Sequence, residues 1–281
     1  MEYRILYIVI LVCVAFFAGR IRTCMRTAEE QNASVSVEEY TNELMRYERN
    51  SIRISFDKGE NAKTYTGCSK YGGQPDVPED FVWPVDDSKR PLAMLFQLQC
   101  SDIQQYDIEW LLPETGHLYF FYELQEMNWE NTGNCVRVIY CDAPNDKLHK
   151  ADYPKTLAEE FRIKEMPLIF ARQKSYPSFE DFSNLCPKYD KWNDEFDTAY
   201  EKLMPEDSTR IGTMLGYASL IQGEIVDNLD DRIMLFQLNT IDGSGESDIM
   251  FGDCGSIYFY ISLKDLKAKN FDNIKFELQC Y

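Results

Sequence analysis

Two glutamines occupy the same place in two copies of one pentapeptide. Met94-Leu95-Phe96-Gln97-Leu98 recurs as Met234-Leu235-Phe236-Gln237-Leu238. A carboxamide donates and accepts hydrogen bonds at once, so two glutamines facing a shared cleft would hold a polar ligand. The same side chains would equally satisfy neighbouring backbone groups within the fold, and that second reading is favoured. Asp253 lies in the stretch 246–255, ESDIMFGDCG, where it presents a carboxylate suited to acid or cation chemistry. The favoured alternative is a tight turn that Asp253 caps, with Gly252 and Gly255 supplying the unusual dihedrals. Trp83-Pro84, Trp110, Trp129 and Trp192 offer aromatic anchors for a partner, although most are expected in the core.

Other chemistry is missing from the text. There is no P-loop, GxGxxG, HExxH or GxSxG. The two histidines are His117, which reads as a partly buried strand residue, and His149, in a polar loop. The nine cysteines, at 13, 24, 68, 100, 135, 141, 186, 254 and 280, form no CxxC and no zinc-spaced cluster with histidine. No metal or cofactor is expected. Cys100 and Cys254 sit in apolar runs, which fits buried thiols in a reducing compartment.

The elements that must position these residues follow from periodicity. Gly116-His117-Leu118-Tyr119-Phe120-Phe121-Tyr122 recurs as Gly255-Ser256-Ile257-Tyr258-Phe259-Tyr260-Ile261, 139 residues later, and the pentapeptide recurs after 140. Two motifs in matched order imply a duplicated half-domain, far longer than a solenoid unit. A turn glycine pairs as well, Gly73 with Gly216. Strand alternation places Met94, Phe96 and Leu98 on one face, as it does Met234, Phe236 and Leu238. Likewise Leu118, Phe120 and Tyr122 share a face, opposite His117, Tyr119 and Phe121. The expectation is two related antiparallel sheets packed about a pseudo-twofold.

Helices are expected at two places. Ser36-Val37-Glu38-Glu39 is a capping box leading into Val37, Tyr40, Leu44 and Tyr47. Residues 154–204 read as a helical connection, with a capping box at Thr156-Leu157-Ala158-Glu159. Its second stripe is Trp192, Phe196, Ala199 and Leu203, after a cap at Asp190. The fold class is therefore α+β, with halves at about 52–150 and 211–281.

Residues 5–19 form an unbroken apolar run followed by Arg20, Arg22 and Arg26. No small residue stands at −3 for cleavage after Ala18 or Gly19, so an uncleaved membrane anchor over residues 1–26 is favoured over a cleaved signal. A linker and the amphipathic helix, 27–51, follow. The arginines after the run place the soluble part in the cytoplasm. The sequon at Asn32 would matter only on the other side. The chain carries 47 acidic and 29 basic residues, a net charge of −18, and residues 27–281 alone carry −21. That acidity argues against nucleic acid and for a basic protein partner, or for solubility alone.

The motifs also resemble a known family. Lys70-Tyr71-Gly72-Gly73-Gln74-Pro75, Phe81-Val82-Trp83-Pro84 and Pro91-Leu92 before MLFQL resemble the opening of the YwqG-like family, a family of unknown function. Leu112-Pro113-Glu114-Thr115-Gly116, Leu215-Gly216-Tyr217 and Ile221-Gln222-Gly223-Glu224 are similar. So are Phe251-Gly252-Asp253-Cys254-Gly255, Asp265-Leu266, Phe271 and Cys280-Tyr281. Ala218 departs from the usual proline. The likeness covers residues 52–281 and implies an α+β duplicated fold, usual in bacterial cytoplasmic proteins. It implies no reaction and no catalytic residue; some relatives look like parts of toxin–immunity systems. Gly72, Gly73, Pro75, Trp83, Pro84, Gln97, Gln222, Gln237, Asp253 and Gly255 are the candidate motif or cleft residues. The favoured function is a tethered, non-catalytic protein-binding module. The alternative is an enzyme or small-ligand binder with a polar cleft between the halves.

Overall fold

Ser36 caps the first described helix: its Oγ accepts the Glu39 N–H at 3.2 Å. The computed structural model describes residues 35–226 and 231–281. The expected anchor at 5–19 and the sequon at Asn32 lie outside them. No helix among the described residues is long and apolar enough to cross a membrane.

Helix α1 (Val37–Leu44) leads to strand β1 (Arg49–Phe56). Next come β2 (Lys70–Tyr71), β3 (Asp76–Val77) and β4 (Ala93–Gln99), then the short α2 (Cys100–Ile103). Strands β5 (His117–Tyr122), β6 (Val136–Cys141), β7 (His149–Lys150) and β8 (Met166–Ser175) follow. Helices α3 (Phe179–Leu185) and α4 (Asp194–Leu203) separate these from β9 (Arg210–Met214). The chain ends with β10 (Arg232–Asn239), β11 (Ser256–Ser262), α5 (Leu263–Lys267) and β12 (Lys275–Gln279).

Ten strands form one antiparallel sheet in the order β12-β11-β10-β9-β1-β8-β2-β4-β5-β6. The expectation of two separate sheets gives way to this continuous one. It is joined at its centre by β1 and β8, paired from Arg49–Ser175 to Phe56–Leu168. The sheet curls so that its inner face closes on itself. Phe236 meets Phe96 and Phe120, with ring centroids at 4.8 and 4.7 Å, and Phe120 meets Phe259 at 5.4 Å. Each such ring, fully buried, contributes on the order of 2–3 kcal/mol. The Leu278 N–H donates to Trp129 O at 2.7 Å and ties β12 to the loop after β5, so the sheet is nearly closed, like a barrel.

The grouping of Met94 with Phe96 and Leu98 needs correction. The register with β5 shifts between Met94 and Phe96, and the register of β10 with β11 shifts between Met234 and Phe236. The extra residue of a bulge breaks the alternation. Leu95 and Phe96 both turn inward, and Met94 turns outward against Tyr119 and Phe121. Leu235, Phe236 and Met234 do the same. The alternation predicted for 118–122 and 257–261 is observed.

The helical reading of 154–204 holds only in part. Residues 166–175 form β8, and the box at Thr156 opens only a 3-10 turn, Glu159–Phe161. Ladder pairing with β1 over 168–175 and with β2 at 166–167 outweighs local propensity. Helix α4 is capped by Asn193, not Asp190: Asn193 Oδ1 accepts the Phe196 N–H at 2.9 Å. The antiparallel part of the α+β expectation holds: the described chain is mostly antiparallel β with a few helices. Helices α1, α3 and α4 share a cluster of Tyr40, Phe182, Tyr189 and Phe196. No disulfide links the described cysteines, and Cys254 is exposed rather than buried.

Candidate functional site

Strand β2 stops at two glycines in left-handed conformation, Gly72 (φ 62°) and Gly73 (φ 77°). A Cβ on either would stand 2.7 Å from Ile163 or Glu165 side-chain carbon, so only glycine fits. The turn carries the chain back over the outer face of β4 and β5. There the Asp76 N–H donates to Gln97 Oε1 at 2.6 Å. Gln97 Nε2 donates to Cys68 O at 2.9 Å and to Asp76 Oδ2 at 2.8 Å, and the Tyr119 hydroxyl donates to Asp76 O at 2.6 Å. The Pro75 carbonyl accepts the Ala151 N–H at 2.8 Å. Gln97 is a clamp that pins the loop after β2 to the sheet.

The same geometry stands on β10. Leu215 and Gly216 take φ values of 60° and 74°. The Ser219 N–H donates to Gln237 Oε1 at 2.9 Å, and the Tyr258 hydroxyl donates to Ser219 O at 2.7 Å. A third glutamine, Gln279 on β12, accepts the Ile221 and Gln222 N–H groups at 2.9 and 3.1 Å and donates to Gly223 O at 2.9 Å. Gln222 itself is exposed.

The two clamps differ in charge. Lys70 and Asp76 form a buried ion pair at 2.9 Å, and Glu165 lies 3.7 Å from Lys70. Gly67 N–H also donates to Asp76 Oδ2, while Asp76 Oδ1 is buried without a partner. His117 Nε2 lies 2.9 Å from Gly67 O. Burial holds the imidazole below its usual value, against the pull of that carbonyl and of Asp76 and Asp102, so it is neutral near pH 7. At the matching positions on the other clamp stand Thr213, opposite Gln237, and Ser219.

The structure does not bring Gln97, Gln237 and Asp253 to one cleft. Each glutamine serves its own loop, on the sheet face opposite Phe96 and Phe236. Asp253 is exposed, and its carbonyl accepts the Tyr281 N–H at 3.2 Å. The left-handed residues of that turn are Gly252 and Cys254. Gly255 is required for space, because a Cβ there would overlap Gln279 O. Trp83 is half-buried, with its indole N–H on Leu92 O at 2.9 Å, and the Pro84 carbonyl accepts the Leu92 N–H.

The other tryptophans overturn the expectation of a mostly buried set. Trp110, Trp129 and Trp192 are 67%, 52% and 56% exposed, so none is core. Each has an exposed acidic residue within two positions in the sequence, Glu109, Glu130 and Asp190, and the Trp192 indole N–H donates to Asp197 Oδ1 at 3.0 Å. Sequence reasoning also missed Lys70, Asp76 and Gln279 as clamp residues. Only their adjacency to the glycine turn and the C-terminal motif could have marked them.

Residues 69–280 match the model of a domain of unknown function, DUF1963. The chain belongs to that family. The DUF1963 match takes in both clamps and Gln279, whereas α1 and β1 precede it. No curated protein matches the chain.

Proposed function

We propose that this DUF1963 protein is a non-catalytic binding module for a basic protein partner, tethered to the membrane through residues 5–19 with its domain on the cytoplasmic side. The observation that carries the reading is the display of Trp110, Trp129 and Trp192 beside exposed carboxylates, on a chain whose residues 27–281 carry −21. A tryptophan face next to a carboxylate suits a lysine or arginine of a partner, through cation–π attraction and ion pairing. The glutamines that read as candidate chemistry are engaged in holding loops, which favours a scaffold over a reaction.

A duplicated half-domain is part of this reading. Four strands flank the β1–β8 pair on each side, the bulges fall at Leu95 and Leu235, and in each clamp the glutamine oxygen accepts a loop N–H whose own residue's carbonyl accepts a tyrosine hydroxyl. Those matches, with the motifs of residues 52–281, support a pseudo-twofold and a YwqG-like assignment within the family.

The test is cross-linking of the full-length chain in its native membranes. The wild type is compared with a Trp110→Ala/Trp129→Ala/Trp192→Ala variant and with charge reversal at Glu109, Glu130 and Asp190. A stoichiometric basic protein captured by the wild type and lost by both variants supports the reading. No partner, or equal capture by the folded variants, overturns it.

A further inference from the structure

A cavity of about 250 Å³ opens on the outer face of β10 and β11. Its floor is Met234 opposite Tyr260, with Val226 beside them. At the matching register Met94 stands opposite Phe121. There the space is filled: the Phe81 and Trp83 rings lie 6.3 and 5.8 Å from the Phe121 ring. Among the described residues no aromatic ring stacks on Tyr260 in that way, and the wall is polar.

Four elements supply that wall, and β10 contributes Arg232. Strand β1 brings Arg49, whose guanidinium carbon lies 4.2 Å from the Tyr217 ring centroid. Helix α3 brings Asp181 and Asn184, and the loop after β9 brings Tyr217 and Glu224. Asn184 Nδ2 holds Glu224 Oε1 at 2.9 Å, while Asp181 makes no side-chain hydrogen bond or ion pair among the described residues. Burial, and then the Glu224 charge, push the Asp181 carboxyl up to about 6, against the pull of Arg49. Arg49 is the cation that pulls on this carboxylate, and Arg232 also lines the cavity.

We propose that this cavity binds a small aliphatic α-amino acid, with its ammonium on Asp181 and Glu224, its carboxylate on Arg49 and its side chain on the apolar floor. Charges of both signs lining one cavity select a zwitterion over a simple anion or cation. The volume lies below the roughly 300 Å³ at which pockets for drug-sized ligands begin, which sets the ligand small.

The experiment is titration calorimetry of the full-length protein in detergent at pH 7.5 with L-leucine and L-valine. 4-Methylpentanoate, which lacks the ammonium, and 3-methylbutylamine, which lacks the carboxylate, are the controls. The expected result is a Kd below about 1 mM for one of the amino acids. Each control should bind at least tenfold more weakly, as should the amino acid to Asp181→Asn and to Arg49→Gln. Circular dichroism and Tm establish that the variants are folded. An unfolded Arg49→Gln is replaced by Arg49→Lys, which keeps the charge and loses the paired donors. No amino-acid binding below 10 mM, equal binding by either control, or unchanged affinity in the folded variants overturns the proposal.

Discussion

The Asp76 N–H reaches the Gln97 carboxamide oxygen at 2.6 Å, and the same carboxamide returns a bond to Asp76 Oδ2 at 2.8 Å. Gln97 is fully buried, so truncation strands the Asp76 N–H and the Cys68 carbonyl and removes one of three donors to Asp76 Oδ2. Gln97→Ala should cost about 3 kcal/mol, and Gln237→Ala about 1–2 kcal/mol because its loop carries no buried ion pair. Urea denaturation of the two variants measures both; a Gln97→Ala cost no larger than that of Gln237→Ala contradicts the clamp hierarchy.

Lys70 and Asp76 should couple strongly. Lys70→Thr strands a buried carboxylate and should cost about 3–5 kcal/mol. Asp76→Ser should cost less, because Lys70 keeps Glu165 at 3.7 Å. Thr and Ser are the residues on the other clamp, so the double variant copies a solution the fold already tolerates. It should cost at least about 2 kcal/mol less than the two single costs together. Additive costs in the double-mutant cycle would refute the pairing.

The strands were legible because their alternation is strict: 117–122 and 256–262 came through with the faces expected of them. The cap at Ser36 was legible because it is local. The bulges at Leu95 and Leu235 were not, since an inserted apolar residue leaves an apolar run unchanged. Strand β8 was missed because Met166–Ser175 mixes apolar and polar residues without a clean period, and only its pairing with β1 settles it. The recurring pentapeptide drew out the glutamines, and each bonds backbone of its own loop. Their partners, Asp76 and Ser219, lie 21 and 18 residues away and depend on where a glycine turn sends the chain. The tryptophans were misjudged because exposure in a loop has no periodicity to read.

Stability should respond to pH through Asp181. Its folded value, about 6, lies above that of an unfolded aspartate, so the native state binds the extra proton. Its contribution is complete at pH values below about 4 and is lost as pH rises through 6. Arg49, Glu224 and Glu180 face it and set the size of the effect. Asp181→Asn should therefore raise Tm relative to wild type by up to about 5 °C at pH 7.5, with the gain shrinking toward pH 4. Calorimetric scans at both pH values check the sign; a gain confined to acid pH would contradict it.

Trp110 takes a left-handed φ of 54°, where a side chain is strained, and its ring is exposed. The turn does not depend on that ring. Asp107 O accepts the Trp110 N–H at 3.2 Å, and the buried Asp107 Oδ2 accepts the Leu112 N–H at 2.7 Å. Trp110→Gly relieves about 1–2 kcal/mol of strain and gives back about 0.5–1 kcal/mol to unfolded-chain entropy, so stability should hold or rise slightly. Asp107→Ala should instead cost about 1–3 kcal/mol, because it strands the buried Leu112 N–H. An indole kept at such a position for binding predicts that Trp110→Gly retains Tm and loses partner capture at least tenfold. A fall of several degrees in Tm for Trp110→Gly would make the ring structural and remove it from the binding surface.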